Sequence, residues 1–334
     1  MKKPILYFVL LLSTSFLFAQ GSLIFNPDVP NVTNGIVDFS FDLVGGGAEY
    51  DLSVEVSFDG GTDWNDIDPS YITGDLGNVA PANGISLQWD AMASFPGQVT
   101  NDAVLRVTAR HVCGTDFTFT YRGSDVTYGT ISKTYNIGGD DVTLCWLDRN
   151  LGADPMPFDP AENVGTNTDT RLYGDLFQWG RLDDGHQDRN STTTSTLSTT
   201  DVPGHGEFIT TESTSLDDRD WRSPKNDALW QGEDGINNPC PPGWRLPTKD
   251  ELETERQSWG SNNSSGAYAS ILMWPLSGYR GYTGSLHNEG TVSHVWSSSV
   301  DGDLTKRLLF NEFTAIVSGS GRIGGMSVRC VRDN

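Results

Sequence analysis

Apolar and polar residues alternate along the first third of the chain. Val37, Phe39 and Phe41 form a period-2 run that stops at Gly45-Gly46-Gly47. Leu52, Val54, Val56 and Phe58 form a second run, closed by Asp59-Gly60-Gly61. Ile85, Leu87 and Trp89 form a third, and Val104, Leu105, Val107 and Ala109 suggest a fourth. Successive strand side chains point to opposite faces, so each run reads as a strand with one buried face. Short strands divided by Gly and Asp turns predict an immunoglobulin- or fibronectin-like β-sandwich over residues 20–125.

From about Val126 the pattern changes. Eight of the ten Trp lie beyond this point. Leu172, Leu176 and Trp179 fall at i, i+4 and i+7, which predicts a helix over roughly Asp169 to Arg181. After Pro247, Thr248 with Glu251 three residues on spells a capping box, and Leu252 and Trp259 share a face of the helix it opens. Between the two helices, the Ser/Thr stretch Asn190 to Thr200 reads as a solvated loop insertion. No helical pattern follows Trp259. Ile271 to Trp274, Val295-Trp296, Leu308 to Phe310 and Ser327 to Val331 are short apolar runs between Gly- and Ser-rich turns. Helices first and antiparallel strands last predict an α+β domain over residues 126–334.

Composition narrows the function. The 334 residues include 37 Gly and 16 Pro, which suits a loop-rich fold and not a helical bundle. Forty-four acidic against 22 basic residues give a formal charge of −22, so a nucleic acid is not an expected partner. Lys2 and Lys3, the apolar run Ile5 to Leu12 and the small Ala19 predict a signal peptide over residues 1–19. No Cys follows that run to form a lipobox, and no later stretch approaches about 18 apolar residues, so no transmembrane segment is expected in the mature chain. The expected location is secreted, extracellular or at the cell surface. In that setting Cys113, Cys145, Cys240 and Cys330 are expected to form disulfides, for which three pairings exist.

Signatures of chemistry are sparse. None of His111, His186, His205, His287 and His294 stands at a two-histidine ligand spacing. Asp183-Asp184-Gly185-His186-Gln187-Asp188 and His205-Gly206-Glu207 bring carboxylate and imidazole close together, yet they read as polar loops flanking the Ser/Thr stretch. There is no GxSxG, no glycine-rich phosphate loop and no pair of acids set apart from the rest. No metal, cofactor or catalytic residue is therefore assigned.

Several motifs occur in unbroken order: Cys145-Trp-Leu-Asp-Arg-Asn-Leu-Gly-Ala153, Arg171-Leu-Tyr, Phe177-Gln-Trp-Gly180, Cys240-Pro-Pro-Gly-Trp-Arg-Leu-Pro-Thr248, Leu276-Ser-Gly-Tyr-Arg280, Val295-Trp-Ser-Ser-Ser299 and Ser327-Val-Arg-Cys-Val-Arg-Asp333. This series resembles the Fibrobacter succinogenes major paralogous domain family, whose fold is C-type-lectin-like. The preceding sandwich is similar to the module often attached to that domain in secreted Bacteroidetes proteins. Pro275 to Asp333 also resembles the variable proteins of diversity-generating retroelements, which vary residues on one face of a rigid lectin-like frame.

That resemblance implies structural roles for Gly278, Tyr279, Trp296, Ser297, Phe310 and Arg329. It implies ligand-facing roles for Gly281, Thr283, His287, His294, Asp301, Leu309, Asn311 and Phe313. Lys306 and Glu312 lie in the same region, but adenine changes in an Asn AAC codon do not reach them. A Cys240–Cys330 bond would staple the last strand to the helix region and leave the intervening loops free to vary. Cys113 and Cys145 read either as a second disulfide or as buried thiols.

Three further likenesses carry less. Ser57 to Trp64 resembles the Asp-box of sialidases, but a single copy reads as a hairpin turn covered by Trp64. Trp64-Asn65-Asp66 spells the calcium-binding tripeptide of many C-type lectins, though in the sandwich, while the equivalent strand Val295 to Ser299 carries serines that lack the needed charge. Formylglycine-generating enzymes share the lectin-like fold and use a reactive cysteine pair, but Cys240 and Cys330 read as a bridge. The expected function is a non-catalytic binding protein that recognises a protein or glycan through loops of the second domain. An enzyme on the formylglycine-generating fold and a surface-fibre subunit are the alternatives.

Overall fold

In a computed structural model, which describes residues 22–25, 30–98, 100, 102–137, 139–155 and 167–333, the chain is mostly β and built from several antiparallel sheets. The predicted signal segment, residues 1–19, lies outside the described residues. The described residues fall into two compact units, one ending at Phe117 and the other starting at Thr118. Residues 118–125 go with the second unit because Ser124–Tyr128 pairs back on the strand Phe117–Tyr121.

The four alternating runs of the first unit are its principal strands. Ile36–Val44 pairs with Ala82–Asp90, in a register that sets Val37 opposite Trp89, Phe39 opposite Leu87 and Phe41 opposite Ile85. Tyr50–Ser57 pairs with Val104–His111, setting Leu52 opposite Ala109 and Val56 opposite Leu105. These inward side chains come from two separate sheets and meet in one buried core. Each large apolar side chain so buried contributes roughly 1.5–3 kcal/mol. The Ser57 to Trp64 segment is a turn in which Gly60 and Gly61 take positive φ. Asp59 Oδ1 accepts from the Thr62 and Asp63 amides, and Trp64 Nε1 donates to Gly61 O at 3.1 Å.

The second unit holds two three-stranded antiparallel sheets. Thr130–Ile137, Asp140–Leu147 and Val331–Asp333 form one; Val292–Asp301, Leu304–Asn311 and Ala315–Ser320 form the other. The helix Lys249–Gln257 packs Leu252 into a core with Trp146, Trp259, Trp274, Val295, Leu308 and Phe310. Its capping box is formed: Thr248 Oγ1 accepts from the Glu251 amide and Glu251 accepts from the Thr248 amide. No helix among the described residues is long and apolar enough to cross a membrane.

Two local expectations are corrected and a third is extended. Asp169 to Arg181 is not a helix; only Thr170–Leu172 makes a 3-10 turn, and Phe177–Gln178 is a strand paired with Gly325–Met326. Gly174 breaks the helical path at φ +66°, where a Cβ would stand 2.4 Å from Leu151 O. Past Trp259 there is a helix, Ser264–Ala269, capped by Asn263, which accepts from the Ser265 and Gly266 amides. The Asn190 to Thr200 stretch is mostly exposed, as expected of a solvated loop, and is also anchored: Thr193–Thr194 pairs in parallel with Phe208–Ile209, and Ser198 donates its amide to Trp221 O at 2.9 Å.

Cys240 and Cys330 are joined, 90 residues apart in sequence with Cα atoms 5.7 Å apart. Cys113 and Cys145 are disulfide-bonded too, so neither is a free thiol.

Candidate functional site

The sheet Val292–Asp301, Leu304–Asn311, Ala315–Ser320 gives the site its floor. Residues paired directly across an antiparallel ladder point to the same face. His294 pairs with Leu309, and Leu309 with Ile316, while Arg307 stands two residues along from Leu309. His294, Leu309, Ile316 and Arg307 therefore share one face. Val295, Leu308, Phe310 and Ala315 occupy the other, in the core. Trp296 is anchored by its Nε1, which donates to Phe177 O at 2.7 Å, and Ser297 Oγ donates to Lys306 O at 2.8 Å. Arg329 is buried, donating to Asn150 Oδ1 at 3.1 Å and Leu272 O at 2.9 Å. The frame beneath the site is rigid because its polar atoms are satisfied by main-chain groups of distant segments.

Above this face the strand pair Tyr279–Arg280 and Leu286–His287 closes a cavity of about 320 Å³. The Tyr279 ring stacks on both His294 (centroids 4.3 Å apart, planes at 11°) and His287 (5.2 Å, 26°). Gly278 makes the approach possible at φ +70°, since a Cβ there would lie 2.7 Å from His287 O. Gly281 leaves space for the histidine itself: a Cβ would fall 2.8 Å from His287 Nε2. On another wall the Arg219 guanidinium lies 3.6 Å over the Tyr282 ring, with its Nε donating to Ser213 O at 2.9 Å.

The electrostatics of the cavity oppose those of the chain. Arg219 and Arg307 line it, and among the described residues no Asp or Glu does, in a protein with twice as many acidic as basic residues. Arg307 Nη1 donates to Gly319 O at 2.9 Å, while its buried Nε has no hydrogen-bond partner among the described residues. His294 is 6% exposed and its Nδ1 is likewise buried without a partner. Burial, and then the charge of Arg307, push His294 down to about 3, so it is neutral at physiological pH. Arg280 also reaches the cavity but is fully engaged: it donates to Gly284 O, Asp188 O and both Ser191 oxygens, and ties this wall to the Ser/Thr stretch.

The sequence-derived ligand-facing residues are distributed around this geometry. Gly281, His287 and His294 line the cavity together, and Leu309 shares the sheet face with His294. Thr283 is exposed in the turn between the two short strands. Asn311 shapes the hairpin that follows its strand, its Oδ1 accepting from the Phe313 amide at 2.8 Å and the Thr314 amide at 3.0 Å. Phe313 is 81% exposed at that tip, next to the exposed Glu312. Asp301 sits at the opposite end of the ladder, paired with Lys306 at 2.6 Å. The strand Leu304–Asn311 separates the two ends by roughly 20 Å or more, so one small ligand does not touch both Asp301 and Phe313. Sequence reading missed Arg219, Tyr282 and Arg307, and gave Tyr279 only a frame role. Arg219 had one visible signal, a lone cation inside Asp217-Asp218-Arg219-Asp220.

The other titratable clusters are spent on holding the fold. His186 is fully buried; its Nδ1 bonds to Asp184 at 2.6 Å and its Nε2 accepts from the Gln178 amide at 3.0 Å. Arg181 grips the same Asp184 with Nε and Nη2. Burial pushes His186 down to about 4, against the pull of Asp184. Burial likewise raises Asp175 to about 6, although Tyr121 and Arg122 both donate to it. Cys240 and Cys330 are both buried and bonded to each other. No family model, curated protein or solved structure matches the chain.

Proposed function

We propose that this chain is a secreted or surface-displayed, non-catalytic binding protein that captures a protein or glycan ligand. On this reading the first unit is an immunoglobulin-like sandwich and the second a C-type-lectin-like domain of the Fibrobacter succinogenes major paralogous type. Its recognition loops would be open to diversification by a retroelement. The observation that carries the reading is the cavity walled by Tyr279, His287 and His294, with Arg219 and Arg307 beside them. Aromatic and histidine rings held in fixed stacks supply contact area at little entropic cost on binding. The charged groups that line the cavity are arginines, and among the described residues no Asp or Glu lines it to serve as partner in acid–base or nucleophilic chemistry.

The test is an array of glycans and proteins probed with the full chain and with Tyr279→Ala. Binding by the natural chain that drops at least tenfold in the variant, with an unchanged melting temperature, supports the reading. Turnover of any array component, or equal binding by both proteins, contradicts it.

A further inference from the structure

We infer that the ligand of this cavity is a carboxylate-bearing sugar, a uronic or sialic acid unit of a glycan, seated with its ring against the His287–Tyr279 stack and its carboxylate between Arg219 and Arg307. The inference rests on the binding role proposed above and adds the chemistry of what is bound.

The first argument is the balance of donors and acceptors. A neutral sugar presents hydroxyls that both donate and accept, and sites that hold one need side-chain acceptors. This cavity has no Asp, Glu, Asn or Gln in its wall. Its charged groups are guanidinium donors, which match an acceptor-only group such as a carboxylate. Arg280, the third arginine of the wall, is consumed by Gly284, Asp188 and Ser191, which leaves Arg219 and Arg307 to meet a ligand. Neither of these two forms an ion pair among the described residues, whereas most arginines of the unit do. In a chain of net charge −22, two arginines without an ion pair on one cavity wall are a local exception, even though Asp218 and Asp220 flank Arg219 in sequence.

The second argument is the orphaned polar atoms. His294 Nδ1 and Arg307 Nε are both buried and unpartnered on this wall. A buried polar atom without a partner costs about 1–3 kcal/mol, so an oxygen-rich group that reaches these atoms as the wall adjusts around it recovers part of that cost. The third argument is size and shape. A volume of about 320 Å³ stands at the lower end of small-molecule sites, enough for one ring and its substituents but not for an extended chain. Tyr279 is stacked on both histidines, so the flat face left for the C–H side of a sugar ring is that of His287, the exposed outer member of the stack. A peptide C-terminus has the carboxylate but no ring to use that face.

Calorimetry on the full chain tests this with four probes: an oligosaccharide ending in glucuronic acid, the same one ending in glucose, one ending in 6-sulfoglucose, and a short peptide with a free C-terminus. The glucuronate form is expected to bind at least tenfold more tightly than each of the others. Arg219→Gln and Arg307→Gln are each expected to weaken it about tenfold while leaving the glucose form unchanged. Arg307→Lys is expected to restore only part of the loss, because an ammonium lacks the two-pronged geometry of a guanidinium. Arg307 also holds Gly319 O, so its variants are read beside Arg219→Gln and a thermal melt. Equal binding of glucose and glucuronate through Tyr279 overturns the charge preference and leaves the binding role standing. Preference for the sulfated sugar or the peptide overturns the assigned class. No binding by any sugar, with the array also blank, overturns both.

Discussion

The two units of this chain are stabilised in different ways. In the unit ending at Phe117 the core is apolar and period-2: Val37, Phe39, Leu52, Val56, Ile85 and Leu87 interlock from two sheets. Among its described residues, Ser57 and His111 are the buried polar side chains, and no Asp, Glu, Lys or Arg is buried. The unit starting at Thr118 buries tryptophans together with charges. Arg181, Arg322 and Arg329 are each fully buried, and each guanidinium faces a tryptophan, namely Trp221, Trp179 and Trp274. Glu255 is fully buried and accepts from Lys133, Tyr135, Trp259, Ser270 and Trp274. The lesson concerns loops. A unit with long irregular segments between its strands cannot satisfy its main-chain groups by ladders alone, so long polar side chains reach across and fix them.

The largest effect expected is on the staple. Replacing both Cys240 and Cys330 by Ser removes closure of a 90-residue loop, worth roughly 4–5 kcal/mol in the chain-entropy model. Calorimetric unfolding should lose that much in the transition of the second unit and leave that of the first unchanged, and residues 270–334 should become protease-sensitive. A single shifted transition would show that the two units do not unfold separately.

A matched pair of core substitutions comes next. Glu255→Ala is expected to cost about 3–5 kcal/mol, because it leaves Lys133 and four hydroxyl or indole donors around an empty site. Leu87→Ala is expected to cost about 2–5 kcal/mol in the first unit by cavity formation alone. Denaturation across salt concentrations and pH separates them: the Glu255 loss should shrink as pH falls through the carboxylate range, since the buried carboxylate sits below its ordinary value once Lys133 and the other donors outweigh burial. A pH-independent Glu255 loss would mean that the site works by packing.

The smallest of the three effects is acid sensitivity. His186 and His294 are held neutral by burial, at about 4 and about 3, whereas an unfolded histidine titrates near 6.5. Between roughly pH 6.5 and 4 the unfolded chain therefore binds protons that the folded chain does not, and stability falls as pH falls. Each histidine contributes up to about 3 kcal/mol over that window, opposed by Asp175, whose raised value favours the folded state as it becomes protonated. Chemical denaturation from pH 7 to 4 should show a shallower decline in His294→Gln than in the natural chain. Identical slopes would place the titration elsewhere.

The first unit was legible because alternation reports burial directly. The capping box at Thr248 was equally plain, since its two hydrogen bonds are local. The supposed helix at Asp169 to Arg181 misled because Leu172, Leu176 and Trp179 are all buried, but by loop and strand and not on one helical face. The short helix Ser264–Ala269 hid its periodicity because its buried positions are Ser264, Gly266 and Ala267, which look neither apolar nor large. In the site, Gly281, His287 and His294 stood in one stretch of sequence. Arg219 enters from about 60 residues earlier, and Arg307 reads as an ordinary outward strand position until the register sets it beside His294.

The central claim is that ligand contact occurs at Tyr279, His287 and His294. Histidine ring signals report it most directly, in a nuclear magnetic resonance titration of the full chain with the array component that binds most tightly. The account expects the His287 and His294 signals to move with saturation while those of His111, His186 and His205 stay in place. Saturable binding that leaves His287 and His294 unmoved would contradict it.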